Sequence, residues 1–352
     1  MSQSYRISNE GLLNRNKEIS FKFNGTKYTG YEGDTLASAL LANGIHLVGR
    51  SFKYHRPRGF FGAGVDEPNA KLQILLNGHS EPNVNATEFE LVEGIEATSQ
   101  NCWPSVKFDV GAINNFLSKF FPAGFYYKTF KWPKSFWHKV YEPFIRKAAG
   151  FGIASLEKDK ERYEHKYEYC DLLVTGSGPA GLSSAYAAAK NGAKVILAED
   201  KPRFGGSLLT DDVTIDNLSG KAWTDKIITQ LKEMPNVIVK NRSQVFGYYD
   251  HNMTVMIEKT GDHLKDKPKY VPRQRLWYIR AKEVILSTGS IERPIVFGNN
   301  DTPGVFLSAA AKEYIKVYGV LVGKKPLVFT NNDSGYETAL EFKKHGVDPI
   351  IL

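Results

Sequence analysis

The stretch Asp171-Leu172-Leu173-Val174-Thr175-Gly176-Ser177-Gly178-Pro179-Ala180-Gly181 decides the fold. Its first five residues have the short apolar pattern of a buried strand, and the glycines follow at once. Leu182 to Asn191 then reads as an alanine-rich helix closed by Gly192. Lys194 to Ala198 reads as a second strand, with Glu199 at its end. In this strand–loop–helix–strand order each glycine has its own task. Gly176 permits a tight turn out of the strand, Gly178 lets the backbone approach a pyrophosphate, and Gly181 lets the helix lie close on the sheet. The helix N-terminus favours the phosphate charge. Glu199, about 20 residues past the motif, is placed to accept hydrogen bonds from the ribose hydroxyls of an adenosine. A lone GxGxxG says little, but the full context specifies a dinucleotide-binding βαβ unit of the Rossmann type.

The candidate site therefore comprises Gly176, Ser177, Gly178, Pro179, Ala180 and Gly181 at the loop and helix start, with Glu199 and Asp200 at the ribose. Two further turns join it. Gly205-Gly206-Ser207 is either an ordinary glycine turn or a second border of the pyrophosphate, which makes Gly206 and Ser207 candidates. Val284 to Ser290 reads as a strand running into Thr288-Gly289, which is either a plain strand end or a second pass beside the dinucleotide. These features suit a disulfide-reductase-like fold that binds FAD or a nicotinamide dinucleotide. Glu199 suits the ribose of NAD or of FAD. Pro294 and Asp301-Thr302-Pro303-Gly304 mark the exit.

Upstream, Ile19, Phe21 and Phe23 alternate with polar residues, and Asn24-Gly25 separates them from Tyr28. That dipeptide favours a two-residue hairpin turn. Asp34 or Thr35 can cap a short helix over Leu36 to Leu41, which Asn43-Gly44 can end. Leu72 to Leu76 reads as a returning strand that ends at Asn77-Gly78. Hairpin, helix and strand suggest a β-grasp module of the plant-ferredoxin kind. Such modules often hold a [2Fe–2S] cluster on cysteines of the loop after the helix. Here that loop, Gly44 to Ala70, contains none, so no iron–sulfur cluster is expected. It carries instead Arg50, Lys53, His55, Arg56 and Arg58 among Phe52, Tyr54, Phe60 and Phe61. This is either a solvated basic loop or a contact for an anion or a partner.

Residues 96–168 are rich in aromatics and prolines, including Trp103-Pro104, Phe120-Phe121-Pro122, Phe125-Tyr126-Tyr127 and Trp132-Pro133. The segment is too apolar for a free linker and is expected to pack on a neighbouring domain or another subunit. Past the glycine-motif unit, Pro326 to Thr330 reads as a strand, Glu337 to His345 as a helix, and Pro349 to Leu352 as a further strand. The expected organisation is a β-grasp domain (1–95), a connecting segment (96–168), a dinucleotide-binding domain (169–320) and an incomplete second nucleotide-fold half (321–352). The fold class is α/β and α+β multidomain, C-terminally truncated.

Bulk properties narrow the function classes. A length of 352 residues suggests two or three domains. No run approaches the roughly 20 apolar residues that span a bilayer, and residues 1–10 lack the apolar core of a secretory signal, so a cytoplasmic protein without membrane attachment is expected. The net charge of +8 is carried by scattered lysines with no long basic run, which argues against nucleic acid. Cys102 and Cys170 are the two cysteines, which excludes a disulfide framework and a CxxC metal site. No metal site and no catalytic residue is indicated: His55, His138 and His251 stand isolated, and structural or surface roles are their default.

Longer strings are more specific than the glycine motif. Gly33 to Gly44, Val48 to Gly59 (VGRSFKYHRPRG), Glu67 to Ala70, Pro122 to Phe130, Gly247 to Met253 and Thr330 to Gly335 closely resemble the α subunit of heterotetrameric sarcosine oxidase, and the resemblance runs through essentially the whole chain. It implies oxidative demethylation of sarcosine to glycine with hydrogen peroxide and, given tetrahydrofolate, methylenetetrahydrofolate. It further implies NAD on the Rossmann domain of this subunit, FAD and amine oxidation on a β subunit, FMN at the α–β interface, and γ and δ subunits as further partners. The NAD role falls on Gly176, Gly178, Gly181 and Glu199. The family's α subunit is longer and ends in a folate domain, so folate chemistry is expected only through that missing region, and this chain alone is expected to be inactive. The loop Arg50 to Arg58 is expected to face a neighbouring domain or the flavin interface. Two other readings are an α-like subunit of an amine, opine or proline dehydrogenase, and a non-catalytic scaffold that NAD stabilises.

Overall fold

The computed structural model describes residues 3–76 and 78–352, so the Asn77 half of the expected Asn77-Gly78 strand end lies outside the described residues. Two compact units are present: Met1–Lys158 with Glu292–Leu352, and Asp159–Ile291. The division after Lys158 falls at the start of the charged stretch Lys158 to Lys166, the best candidate boundary in the sequence.

The first unit is built on a mixed five-stranded sheet. Strands β1 (Asn14–Phe23) and β2 (Thr26–Glu32) form an antiparallel hairpin. At its turn Asn24 and Gly25 both have positive φ, 47° and 79°, as a turn matched to strand twist requires. Ile19, Phe21 and Phe23 are buried on one face of β1. Helix α1 (Leu36–Ala42) is buried along its whole length, which its small and apolar side chains allow. Thr35 and Ser38 close a capping box at its start. Buried Asp34 accepts a hydrogen bond from Ser38 Oγ at 2.6 Å and is neutralised by Arg6 at 2.7 Å.

Strands β3 (Lys71–Leu76), β4 (His79–Asn85) and β5 (Glu96–Ser99) complete the sheet in the order β2-β1-β5-β3-β4. The pairing of β1 with β5 is parallel and the others are antiparallel, giving the expected β-grasp arrangement. The central strand β5 lies just past residue 95, where the sequence reading placed the domain limit. Its four residues, Glu-Ala-Thr-Ser, carry no readable apolar period.

The aromatic segment contains short helical pieces, among them Ile113–Phe116, Phe125–Thr129 and Glu142–Ala149. Many of its large side chains are exposed, including Trp103, Phe116, Phe120, Trp132 and Phe144. The same unit includes helices Ser308–Lys316 and Ser334–Lys344, and a parallel pair of two-residue strands, Leu327–Val328 and Ile350–Ile351. Tyr314 Oη donates to the Gly62 carbonyl at 3.0 Å, and the Leu307 amide donates to that of Phe61 at 2.8 Å, which ties this C-terminal part to the loop after α1.

The second unit is a six-stranded sheet. Its strands are β6 (Tyr163–Thr175), β7 (Val195–Ala198), β8 (Val237–Lys240), β9 (Ser243–Tyr249), β10 (Met253–Lys259) and β11 (Gln274–Leu286). Their order is β8-β7-β6-β11-β10-β9, with the first four parallel and the last two antiparallel. Helix α2 (Pro179–Lys190) connects β6 to β7, and α3 (Gly220–Glu233) lies between β7 and β8. Strand β6 feeds both faces, with an irregularity at Asp171 and Leu172, whose amides both donate to the Lys194 carbonyl. Leu172 and Val174 pack with Leu182, Ala185, Trp223 and Ile227, whereas Cys170 and Leu173 pack with Ile196, Met256, Trp277 and Ile279. A central parallel strand covered on both faces reads as continuous apolar sequence, as Leu172 to Val174 does. Removing a buried leucine from such a layer costs about 2–5 kcal/mol.

Candidate functional site

The carboxyl ends of β6, β7 and β11 carry the candidate residues. Gly176 leaves β6 with φ of 95°. A Cβ on Gly176 would collide with the Ser287 carbonyl, and one on Gly181 would overlap the Gly176 carbonyl oxygen. Both are therefore glycine for reasons internal to the chain. Gly178 differs: its φ is −68°, ordinary for any residue, and a Cβ there would meet nothing within 4 Å. A side chain at Gly178 would occupy only the open space where a ligand must approach the backbone.

Helix α2 starts at this point. Pro179 sits at its first position, where a missing N–H costs nothing. The first intrahelical bond runs from the Leu182 amide to the Gly178 carbonyl at 2.9 Å. The Ala180 and Gly181 amides precede it and have no acceptor within the helix. Exposed Pro179 and Ala180 thus border a positive helix end suited to a phosphate.

The neighbouring turns close around the loop. The Gly205 amide donates to both the carbonyl and the Oγ of Ser177, at 3.1 Å each. Gly206 has φ of 53°, and a Cβ on it would lie 3.1 Å from Gly178 Cα. This brings exposed Gly206 and Ser207 to the rim of the same crevice. From β11, the Ser287 amide donates to the Thr175 carbonyl at 2.8 Å and extends the pairing with β6. Thr288 and Gly289 follow, both exposed, with Gly289 at φ of 70°. Sequence reasoning missed Ser287, whose Oγ is buried beside Gly181 without a hydrogen-bond partner. No sequence signal separates it from any other strand-end serine.

Glu199, just past β7, is 6% exposed. Its Oε2 accepts from the Ser177 amide at 2.8 Å and from Ser177 Oγ at 2.5 Å, while Oε1 accepts from the Lys201 amide at 3.1 Å. Burial, followed by a hydrogen bond with the neighbouring Asp200 carboxyl, pushes its pKa up to about 7; the Ser177 bonds oppose that rise. The carboxyl is thus poised to gain or lose a proton near neutrality. Only its ionised form accepts hydrogen bonds from a pair of hydroxyls through both oxygens. The donor set fits a dinucleotide: helix-end amides for the diphosphate, two close-approach glycines, and one carboxylate for a sugar.

In the first unit the polar side chains of the basic loop are held by partners within the chain. Arg56 and Arg58 both engage Asp301, Arg56 at 2.7 Å, and hold its carboxyl well below the usual range. Arg50 donates to the Val106 carbonyl at 2.7 Å, and His55 Nδ1 lies 2.7 Å from Asp109. Buried Glu67 accepts four backbone N–H bonds, from Phe61, Gly62, Asn69 and Ala70, and so fixes the shape of the glycine-rich turn. None of these pairings was legible in local sequence.

Residues 16–102 match the family described as a 2Fe-2S iron-sulfur cluster binding domain, and residues 171–244 match the FAD dependent oxidoreductase family. The chain is 50% identical over 349 residues to the sarcosine oxidase alpha subunit of Rhizobium meliloti (strain 1021), covering 99% of this chain and 35% of the relative. The chain is a relative of the sarcosine oxidase alpha subunits. A second such subunit, from Corynebacterium sp. (strain U-96), is 32% identical over 340 residues, covering 95% of this chain and 30% of the relative. The chain thus spans about one third of the length of these curated relatives. An opine oxidase subunit from Agrobacterium tumefaciens (strain Ach5) is 26% identical over 175 residues, covering 46% of this chain and 33% of the relative. Among solved structures, L-proline dehydrogenase from P. horikoshii shares the fold, with a TM-score of 0.64 at 21% identity, over 98% of this chain and 55% of that one.

The iron–sulfur description does not fit the donor set of this chain. A [2Fe–2S] centre needs four protein ligands, normally thiolates. Residues 16–102 contain one cysteine, Cys102, whose thiol is pushed up first by burial and then by Asp109. Cys170 is buried in the second unit, its pKa pushed up to about 12 by burial. Among the described residues no helix is long and apolar enough to cross a membrane.

Proposed function

We propose that the chain binds an adenine dinucleotide on the second unit and serves as the cofactor-holding part of a sarcosine oxidase alpha subunit. The observation that carries this is Gly178, where an added Cβ would meet nothing within 4 Å, at the start of a helix whose Ala180 and Gly181 amides have no acceptor within the helix. NAD is the dinucleotide that the resemblance of the sequence strings implies, and the match of residues 171–244 to the FAD dependent oxidoreductase family supports FAD as the alternative.

In this reading the bound group supplies a hydride-accepting ring. The residues of this chain bind and orient it. The amides of Ala180 and Gly181 donate to the diphosphate, and Gly206 and Thr288-Gly289 border it. The ionised Glu199 accepts the ribose hydroxyls, with Ser177 Oγ rotating away to free an oxygen. Asp200 tunes the charge of Glu199. Oxidation of sarcosine takes place on a beta subunit, with FMN at the interface and gamma and delta subunits completing a cytoplasmic complex. The β-grasp module carries no cluster and supports assembly.

Releasing small molecules from the purified protein by denaturation and weighing them by mass spectrometry tests the assignment. NAD without flavin is the expected result, FAD moves the assignment to the alternative, and the absence of any adenine dinucleotide overturns it.

A further inference from the structure

We propose that Glu10, Glu341 and His345 form a binding site for one divalent transition-metal ion of the zinc class. The site lies within the first unit and uses none of the residues of the dinucleotide crevice, so it stands or falls independently of that reading.

Glu341 and His345 are four residues apart, the spacing that puts two side chains on one helical face. Helix Ser334–Lys344 supplies Glu341, and His345 follows as its C-cap. Glu10 comes from the N-terminal segment. That segment is stitched in place on both sides of it, by the Ile7 amide to the Gly319 carbonyl at 2.8 Å and the Leu12 amide to the Val317 carbonyl at 2.7 Å. The three donor atoms all lie within 4.8 Å of one another.

Two buried atoms are placed to ligate a cation. Glu341 is 2% exposed, yet its Oε1 has no hydrogen-bond partner, and neither has the buried Nε2 of His345. The two atoms face each other at 3.4 Å in a geometry that makes no hydrogen bond. Two ligands each about 2.1 Å from a tetrahedral zinc ion stand about 3.4 Å apart. Glu10 Oε1 is 3.9 Å from the same nitrogen, within a small side-chain adjustment of that spacing. A buried carboxylate oxygen and a buried imidazole nitrogen that make no hydrogen bond cost free energy, and one cation between them satisfies both.

Lysines complete the picture. Lys344 and Lys316 approach the other oxygen of Glu341, Oε2, at 3.0 and 3.8 Å. They hold the carboxylate so that Oε1 turns toward His345. They also offset the charge of the two carboxylates, which disfavours a calcium or magnesium ion held by charge alone. The imidazole is then the deciding ligand and selects a borderline metal. Three protein ligands leave a fourth position for water. A bound ion would fasten the N-terminal segment to the helix Ser334–Lys344.

The test uses the chelator-stripped protein, titrated with zinc chloride by calorimetry and with cobalt(II) by visible absorption. One equivalent of zinc and the intense absorption of tetrahedral cobalt are expected. His345→Gln weakens binding by about tenfold or more, since losing a ligand exceeds the loss of a ligand's own support. Glu10→Gln, on a half-exposed side chain whose replacement leaves the fold intact, also weakens binding and removes the zinc-dependent rise in Tm. Absence of zinc binding by the native chain, or equal binding by native, His345→Gln and Glu10→Gln proteins, overturns the proposal.

Discussion

Replacing Glu199 by glutamine removes one negative charge and almost no volume, so its consequences can be worked out from the crevice. The ionised carboxylate offers acceptors to two ribose hydroxyls, and a hydrogen bond to a charged group contributes about 1.5–3 kcal/mol. Glutamine keeps one acceptor oxygen and turns an NH2 toward groups that are themselves donors, the Ser177 amide and hydroxyl among them. A net loss of about 2–3 kcal/mol follows, which weakens dinucleotide binding by about 30- to 150-fold.

The pH dependence supplies an independent check. With the free carboxyl at about 7, binding to the native chain must expel its proton below that pH. Affinity therefore falls as pH drops, by about 30-fold between pH 8.5 and 5.5 when the ligand ionises the group fully. Stability of the ligand-free protein runs the other way. The folded state holds a proton that the unfolded chain releases near the ordinary value of 4.5. Stability is thus lost as pH rises from there to about 7, by about 3 kcal/mol. Glu199→Gln abolishes both slopes, and its thermal midpoint, measured alongside, separates weak binding from unfolding. Calorimetric titration with NAD and with FAD across this pH range reads the effect. A Kd within threefold of the native value at pH 8, or native binding indifferent to pH, would refute the reasoning.

Gly178→Ala keeps the thermal midpoint, because its Cβ meets open space, but loses dinucleotide binding. Gly181→Ala unfolds the unit, costing about 3 kcal/mol or more as its Cβ overlaps backbone; equal Tm values for the two variants would sink the distinction. Asp301→Asn lowers Tm at pH 7 by a few degrees, and the difference shrinks as pH falls, because a depressed carboxyl contributes stability only above its folded pKa. A difference that stays constant down to strongly acidic pH would contradict the pairing with Arg56 and Arg58. Elemental analysis of the purified protein finds no stoichiometric iron, and a brown iron–sulfur spectrum would overturn the cysteine argument.

The glycine loop was legible because its physics is local. Strand, tight turn, bare amides and helix lie within residues 171–190, and each step leaves its mark on neighbouring residues. The β1–β2 hairpin was legible for the same reason, through Asn24-Gly25 and the alternation of Ile19, Phe21 and Phe23. What escaped reading depends on partners distant in sequence. Arg56 and Arg58 read as free cations until Asp301, more than two hundred residues away, is brought beside them. Gly59 is glycine because a Cβ would press on Pro303 and the His46 carbonyl. No metal site was read in the helix over Glu337 to His345, because Glu10 comes from the opposite end of the chain. Strand β5 was invisible because four small and polar residues pair at the sheet centre without an apolar signature.

A crystal structure of the chain grown with NAD tests the central claim most directly. The diphosphate is expected within hydrogen-bond distance of the Ala180 and Gly181 amides, with the adenosine ribose on Glu199. A dinucleotide seated elsewhere, or a crevice that stays empty at saturating NAD and FAD, would contradict the account.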